Sequence, residues 1–407
     1  MTQTTDRAHA IDPAELKRRV GQAVEARRDE LIALSHAIHA DPEPAFEEHH
    51  AAQRVADAIR AAGFAVEHPA GSLSTAVRGR LTGGLGSDGP RIGLLAEYDA
   101  LPGLGHGCGH NTMAAQGVGS ALALADTRDL WAGEVVFLGT PAEERGSGKA
   151  FMLEEGLMDG LDAALLFHPC DRNHVASQPL ASEDVEIVFT GLQSHAASDP
   201  WKGRNALDAM ITLFVSVGLW RQQLPSHTRV HGIIQEGGTA ANIIPDRTKA
   251  WFMIRSADQA YYDVMKGRFR QLCEAAALAA DCRVEVTFSG GAMTMKQNRT
   301  LEARWTANAE AHGVKDEGPD ENSGSTDMAN VSWAVPTIHP DLSITDGPTP
   351  GHSIAFREAA ASPRGDEVML LAATLIAETA VDLLTDPSLV EAAWADFRSG
   401  PQLDRPR

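Results

Sequence analysis

The chain reads as an α/β protein: a mostly parallel central sheet with helices around it, interrupted by a smaller inserted α+β unit. Three patterns predict this. Up to about residue 180, apolar strand-like runs alternate with helix-like ones. Between 181 and 295 the texture changes to period-two strands in the order β-α-β-β-α-β. After about 295 the chain returns to helix, loop and helix. The expected division is a larger domain from residues 1–180 and 296–407, with an inserted domain from residues 181–295.

Each element has a local reason. The first ten residues are polar and expected to be loose. Asp12-Pro13-Ala14-Glu15 is a helix start, with an N-cap Asp, Pro at the first helical position and Glu at the third. Leu16, Val20, Val24, Leu31 and Leu34 then recur at helical spacing, predicting one helix across them. A second helix carries Ala51, Ala52, Val55, Ala56 and Ile59 and stops at Gly63. Strands are expected at 74–81, 91–96, 134–139 and 162–167. The segments 92–96 and 163–167 are continuous apolar runs, as buried parallel strands should be. Helices are expected at 111–125 and about 147–155. In the inserted unit, strands are expected at 185–189, 230–234, 249–254 and 283–288, and helices at about 205–221 and 259–280. The last expected helix covers 366–384.

Composition narrows the function. The 407 residues are 43% hydrophobic, with 55 acidic and 35 basic side chains and a net charge of −20. So acidic a surface repels phosphate backbones and anionic membranes, which excludes both as general partners. The longest apolar run, 368–377, is about half of the roughly 20 residues that cross a bilayer. Arg18, Arg19, Arg27 and Arg28 interrupt any signal-like stretch. Four cysteines without a CxxC pair make the reducing cytoplasm the expected compartment.

The chemistry gathers at one sheet edge. Open α/β sheets bind ligands beyond the carboxyl ends of their strands. After 91–96 come Glu97, Tyr98 and Asp99, then Gly105-His106-Gly107-Cys108-Gly109-His110-Asn111. After 134–139 comes Pro141-Ala142-Glu143-Glu144, and His168-Pro169 ends the run 162–167. Gly351-His352-Ser353 adds a group from the C-terminal half. Cys108 and His110, two apart around a glycine, converge on one centre in an irregular loop. Thiolate, imidazole and carboxylate together suit a borderline-soft divalent metal. Cys108, His110, Glu144, His168 and His352 suffice for two ions if one group and a water bridge them. Glu143, too constrained to bind the same ion as Glu144, is left to act as a base. Alone, each is ordinary: a buried small thiol, a solvated turn, a core histidine. The inference rests on their shared edge.

These strings resemble the aminoacylase/carboxypeptidase family of dinuclear metallohydrolases. The resemblance runs from Glu97-Tyr98-Asp99-Ala100-Leu101-Pro102 through the Gly-His-Gly-Cys-Gly-His-Asn loop, Pro-Ala-Glu-Glu and Phe167-His168-Pro169. It continues through Gly191–Ala197, Gly203–Ala209, Glu236-Gly237-Gly238, Asn242–Asp246, Gly324–Met328 and Gly351-His352-Ser353, spanning about residues 30–385 in order. More narrowly, it resembles the branch of auxin-conjugate (indoleacetyl-amino acid) hydrolases and aminobenzoyl-glutamate hydrolases. Asn111, where the auxin branch has Asp, favours the second. The resemblance implies a zinc-peptidase-like catalytic domain and a ferredoxin-like dimerisation and lid domain. It also implies Cys108 as bridging thiolate, with His110, Glu144, His168 and His352 as terminal ligands. Glu143 would be the general base and Asp99 a carboxylate steering the ligands. His195 would reach into a homodimer partner's site, with Asn242 nearby. Arg204 or Arg255 is a candidate for a substrate carboxylate.

The expected reaction is hydrolysis of the amide bond of an N-acyl or N-aroyl amino acid or small peptide, using two zinc or manganese ions. Hydrolysis of a non-peptide C–N bond, metal storage, and a Cys108–His110 thiol amidase remain open alternatives.

Overall fold

The computed structural model describes residues 11–318 and 324–402; the polar stretch 1–10 lies outside the described residues. The chain forms two units. One holds the described residues up to Gln178, those from Met295 to 318, and those from Asn330 on; the other holds Pro179–Thr294 and 324–329.

In the first unit, Asp12 accepts a hydrogen bond from the Ala14 amide and starts α1 (Pro13–Ala26). The single helix expected here is two. Arg27 leaves helical geometry at φ −104°, ψ 10°, and α2 (Arg28–His39) begins after it. The break is held by a bidentate ion pair from Arg27 to Asp126, a distant partner that helical periodicity cannot reveal. There follow α3 (His49–Ala61), β1 (Ala65–Glu67), β2 (Val77–Thr82), β3 (Arg91–Glu97), α4 (His110–Asp126), β4 (Glu134–Thr140), α5 (Gly148–Glu154), β5 (Ala163–Leu165) and β6 (His168–Cys170). β2 starts later than expected because residues 75 and 76 are engaged elsewhere. Tyr98 donates its hydroxyl to the Thr75 carbonyl, and Ala76 accepts from the Ala70 amide.

The second unit contains β7 (Ala181–Thr190), β8 (Ser194–His195), α6 (Ala206–Trp220), β9 (Thr228–Glu236), β10 (Ile243–Ile244), β11 (Arg247–Ser256), α7 (Gln259–Ala279) and β12 (Arg283–Ala292). Its four long strands form an antiparallel sheet in the order β12-β7-β11-β9. Ile187, Phe189, Met210, Leu213, Phe252 and Phe269 meet in its core. A two-residue ladder pairs β8 with β10.

The first unit resumes with α8 (Arg299–Ala311); after α9 (Met328–Ser332), whose first two residues belong to the second unit, come β13 (Thr337–Ile338), β14 (Asp341–Ser343), and the helices α10 (Ile354–Ala359), α11 (Pro363–Thr385) and α12 (Pro387–Ser399). Its sheet has the order β1-β2-β4-β3-β5-β13, with β4, β3, β5 and β13 parallel and β1 and β2 antiparallel at one edge. The expected strand 162–167 is shorter than expected, and a separate strand follows it. Residues 163–165 stay in the sheet, and His168–Cys170 pairs parallel with β14. α12, not anticipated, starts on Asp386-Pro387, the same signal that starts α1.

The core of this unit is α4, buried from His110 to Leu124, with α1, α2 and α11 packed against it. Gly117 lets its backbone reach the sheet: a Cβ there would meet the Leu95 carbonyl oxygen at 2.8 Å. α11 is long and apolar enough to cross a membrane by length and composition, and most of it is buried inside the structure. Its charges are partnered within the chain, Glu378 by His312 (3.0 Å) and Asp382 by Lys17 (2.7 Å).

Candidate metal centre

Strand ends and tight turns position the cluster. β3 ends at Glu97, and the chain loops from Asp99 to return Cys108 and His110 at the start of α4. The return requires Gly109: its φ is +82°, and a Cβ would meet Pro169 Cγ at 2.7 Å. β4 ends at Thr140, and a turn through Ala142, with φ +59°, presents Glu143 and Glu144. β6 presents His168. His352, with φ +56°, is tied to the loop by its amide, which donates to the Gly107 carbonyl (2.9 Å).

The five candidate ligands come together around one sulfur. Ligand atoms of Cys108, His110 and His168 lie within 4.8 Å of one another, and so do those of Cys108, Glu144 and His352. Cys108 Sγ is 3.5 Å from His168 Nε2, and Glu144 Oε2 is 3.4 Å from His352 Nε2. Glu143 Oε2 lies 3.8 Å from His110 Nε2 and belongs to neither sulfur triad.

The imidazoles are oriented for coordination. His110 Nδ1 donates to Asp99 Oδ1 (2.9 Å), and its fully buried Nε2 has no hydrogen-bond partner among the described residues. Asp99 Oδ2 accepts from the Glu144 amide (2.8 Å), so one carboxylate orients two candidate ligands. His168 Nδ1 donates to the Pro169 carbonyl (2.7 Å), turning its Nε2 toward the sulfur. Burial pushes His168 down to about 3, which leaves it neutral. Glu144 Oε1 is likewise buried without a hydrogen-bond partner among the described residues. Burial, then the nearby Glu144 carboxylate, raises the Cys108 thiol well above its ordinary value, so a thiolate there requires a cation beside it. Unpartnered buried lone pairs facing a shared sulfur are a donor set that fits divalent metal.

Sequence reading missed the groups behind this cluster. Glu97 and Lys149, both fully buried, form an ion pair of 2.6 Å, and Glu97 Oε2 is 3.3 Å from His110 Nε2. Burial alone would raise the Glu97 carboxyl; Lys149, then His110, hold it below its ordinary range. His339 packs edge-on to His168 at 5.6 Å, and burial pushes it down to about 4. A charge ending an apolar strand was the available signal for Glu97. Nothing in the sequence marked Lys149.

In the second unit, His195 is exposed on β8. Its Nδ1 accepts from the amides of Ala197 and Ser198 (3.1 Å each), which leaves the proton on Nε2. Asn242 is adjacent, its carbonyl accepting from the Ala196 amide (3.0 Å). Neither candidate arginine shows a prepared anion site. Arg204 pairs with Asp281 (2.8 Å), and Arg255 rests its Nε and Nη2 on Met253 Sδ.

The chain is similar to known proteins over most of its length. The profile of Peptidase family M20/M25/M40 matches residues 93–373. The Xaa-Arg dipeptidase of Mus musculus is 36% identical, the match covering 94% of this chain and 92% of that one. A p-aminobenzoyl-glutamate hydrolase polypeptide of Escherichia coli (strain K12) is 32% identical over 71% of this chain and 63% of its own. Among solved structures, a Staphylococcus aureus protein described as a putative aminohydrolase superimposes with a TM-score of 0.77 at 18% identity, covering 90% of this chain and 100% of that one. A Bacillus subtilis protein described as a dinuclear metal binding peptidase of the M20 family gives 0.67 at 22%, covering 89% and 99%. At these identities the two structures speak to fold alone.

Proposed function

Because the chain belongs to peptidase family M20/M25/M40, we propose that this metal-dependent peptidase or amidohydrolase cleaves the amide bond of a small N-acyl or N-aroyl amino acid or dipeptide at a pair of divalent ions. The observation that carries this reading is that a single sulfur, Cys108 Sγ, belongs to two ligand triads at once. His110 and His168 would hold one ion, Glu144 and His352 the other, and Cys108 both. Thiolate and imidazole favour zinc, while the carboxylate and a bridging water also suit manganese. When bound, such ions supply Lewis acidity to water and to the scissile carbonyl. The relatives named a dipeptidase and an aroyl-glutamate hydrolase support the substrate class.

The chain's own groups do the rest. Glu143 receives the proton of the attacking water and passes it to the departing amine. Asp99 keeps His110 in the Nδ1–H tautomer, so that Nε2 faces the centre. His195 offers an exposed Nε2–H that can donate to the oxygen on which charge develops, a preorganised hydrogen bond of the oxyanion-hole kind. We assign it to the site of a second subunit. An exposed apolar surface on the second unit supports a homodimer: Ile211, Val215 and Leu219 recur every four residues on α6 at 49%, 57% and 62% exposure, and β9 is an edge strand.

Three measurements test the reading. Purified protein analysed by metal mass spectrometry should hold two divalent ions per chain. It should release amino acid from a panel of N-acyl and N-aroyl amino acids and lose this activity to a chelator; activity that survives metal removal would return the choice to a thiol amidase. Glu143→Ala and His195→Ala should each be inactive with metal retained. Mixed after subunit exchange, they should recover about a quarter to a half of the wild-type rate, since one site per hybrid dimer is intact. No recovery in verified hybrids refutes the shared site.

A further inference from the structure

Immediately behind the Glu143–Glu144 turn lies a carboxylate that the chemistry above does not use. Glu48 is fully buried. It occupies the N-cap position of α3, yet its side chain makes no capping bond. That task falls to Glu43, whose carboxylate accepts from the amides of His50 and Ala51. The Glu48 carboxylate turns the other way. A single oxygen, Oε1, accepts from the Ala142 amide (2.8 Å) and from the Phe46 amide (2.9 Å).

Both donors are in the left-handed region, Phe46 at φ +63° and Ala142 at φ +59°, a conformation disfavoured for residues with a Cβ. Ala142 directly precedes Glu143. The same loop braces the turn a second time: the Phe46 ring fills the space where a Cβ on Gly146 would stand, 2.4 Å away. It also reaches the Asp99 loop, because Ala100 donates its amide to the Glu43 carbonyl (2.8 Å). Residues 43–48 therefore contact both loops that carry the carboxylates of the centre.

We propose that Glu48 is a positioning residue for the reaction, clamping the Ala142 amide so that the strained turn aims Glu143 and Glu144 in different directions. This rests on the roles given to those two glutamates above. Without the clamp, Ala142 would be free to leave its disfavoured φ, and the directions of both carboxylates would change with it. The clamp needs an acceptor oxygen, not a charge, so glutamine should replace it and an apolar residue should not.

The test compares Glu48→Leu with Glu48→Gln. For Glu48→Leu we expect kcat to fall about 100-fold with KM little changed, and for Glu48→Gln less than about tenfold. Bound metal should drop from two ions toward one in Glu48→Leu, through loss of the ion that Glu144 helps hold, and stay at two in Glu48→Gln. In chelated wild-type protein, hydrogen exchange of peptides spanning 141–148 should show the turn amides protected. A folded Glu48→Leu with both ions and wild-type kcat overturns the proposal. So does fast exchange of that segment in the chelated wild type, which is measurable even if Glu48→Leu fails to fold. A wild type that never binds two ions would instead refute the two-ion reading, leaving the clamp to be judged by exchange alone.

Discussion

The two flanks of Cys108 are built differently. On one side, His110 is fully buried and His168 half-buried, and each has its second nitrogen fixed, by Asp99 and by the Pro169 carbonyl. On the other side, Glu144 is largely buried, but the His352 side chain is 57% exposed, and its main chain hangs from the Gly107 carbonyl. The first flank is preorganised, and among the described residues His110 Nε2 has no hydrogen-bond partner. The second is half solvent. On the proposed reading, the two-imidazole flank would anchor an ion, and the flank of one carboxylate and one exposed imidazole would let an ion and a substrate carbonyl adjust.

Three experiments break or sharpen this contrast. The largest effect is expected from Cys108→Ala, which removes the only atom common to both triads. Activity should fall to background and metal content toward zero; a variant that keeps two ions would mean the flanks are independent. Next comes His352→Ala, which should release the outer ion and leave the inner one, giving one ion per chain by mass spectrometry with kcat reduced about 100-fold or more. Loss of both ions would show that the buried flank cannot hold metal by itself.

The smallest effect is on stability. Burial pushes His106 down to about 3 and His339 to about 4, from an ordinary 6.5. Folded, both rings are neutral; unfolded, they bind protons below pH 6.5. Their contribution is thus fully present above about pH 6.5. It is lost as pH falls toward 4 and 3, at roughly 1.4 kcal/mol per ring per pH unit. Burial raises Glu48 and Glu302 to about 7, and they act in the opposite sense over the same window, so the test is a difference: between pH 7 and pH 5 the urea midpoint of metal-free protein should fall further in wild type than in His106→Gln. An equal change in the two would mean that the region behind the inner flank admits water.

Much of the centre was legible because strand ends and glycines are local signals. Gly109 between Cys108 and His110 announces a turn that only glycine makes, and the apolar runs before Glu97 and Glu143 point to one sheet edge. What the sequence concealed depends on partners far along the chain. Arg27 breaks a periodic helix because Asp126, 99 residues on, receives it. His168 joins a separate ladder because residues 341–343 offer one, a pairing with no periodicity to read. Lys149 finds Glu97 across 52 residues. The turn at Ala142 was recognised for what it carries, and not for Glu48, which holds it from the far side.

The pairing of Lys149 with Glu97 sets a rule for how this protein can change. Each neutralises the other where no solvent reaches, so exchanging either one strands an ion in a dry interior, whereas swapping both for well-fitting apolar side chains need not. Whoever redesigns the chemistry in front of that pair must treat positions 97 and 149 as one unit, inherited or replaced together.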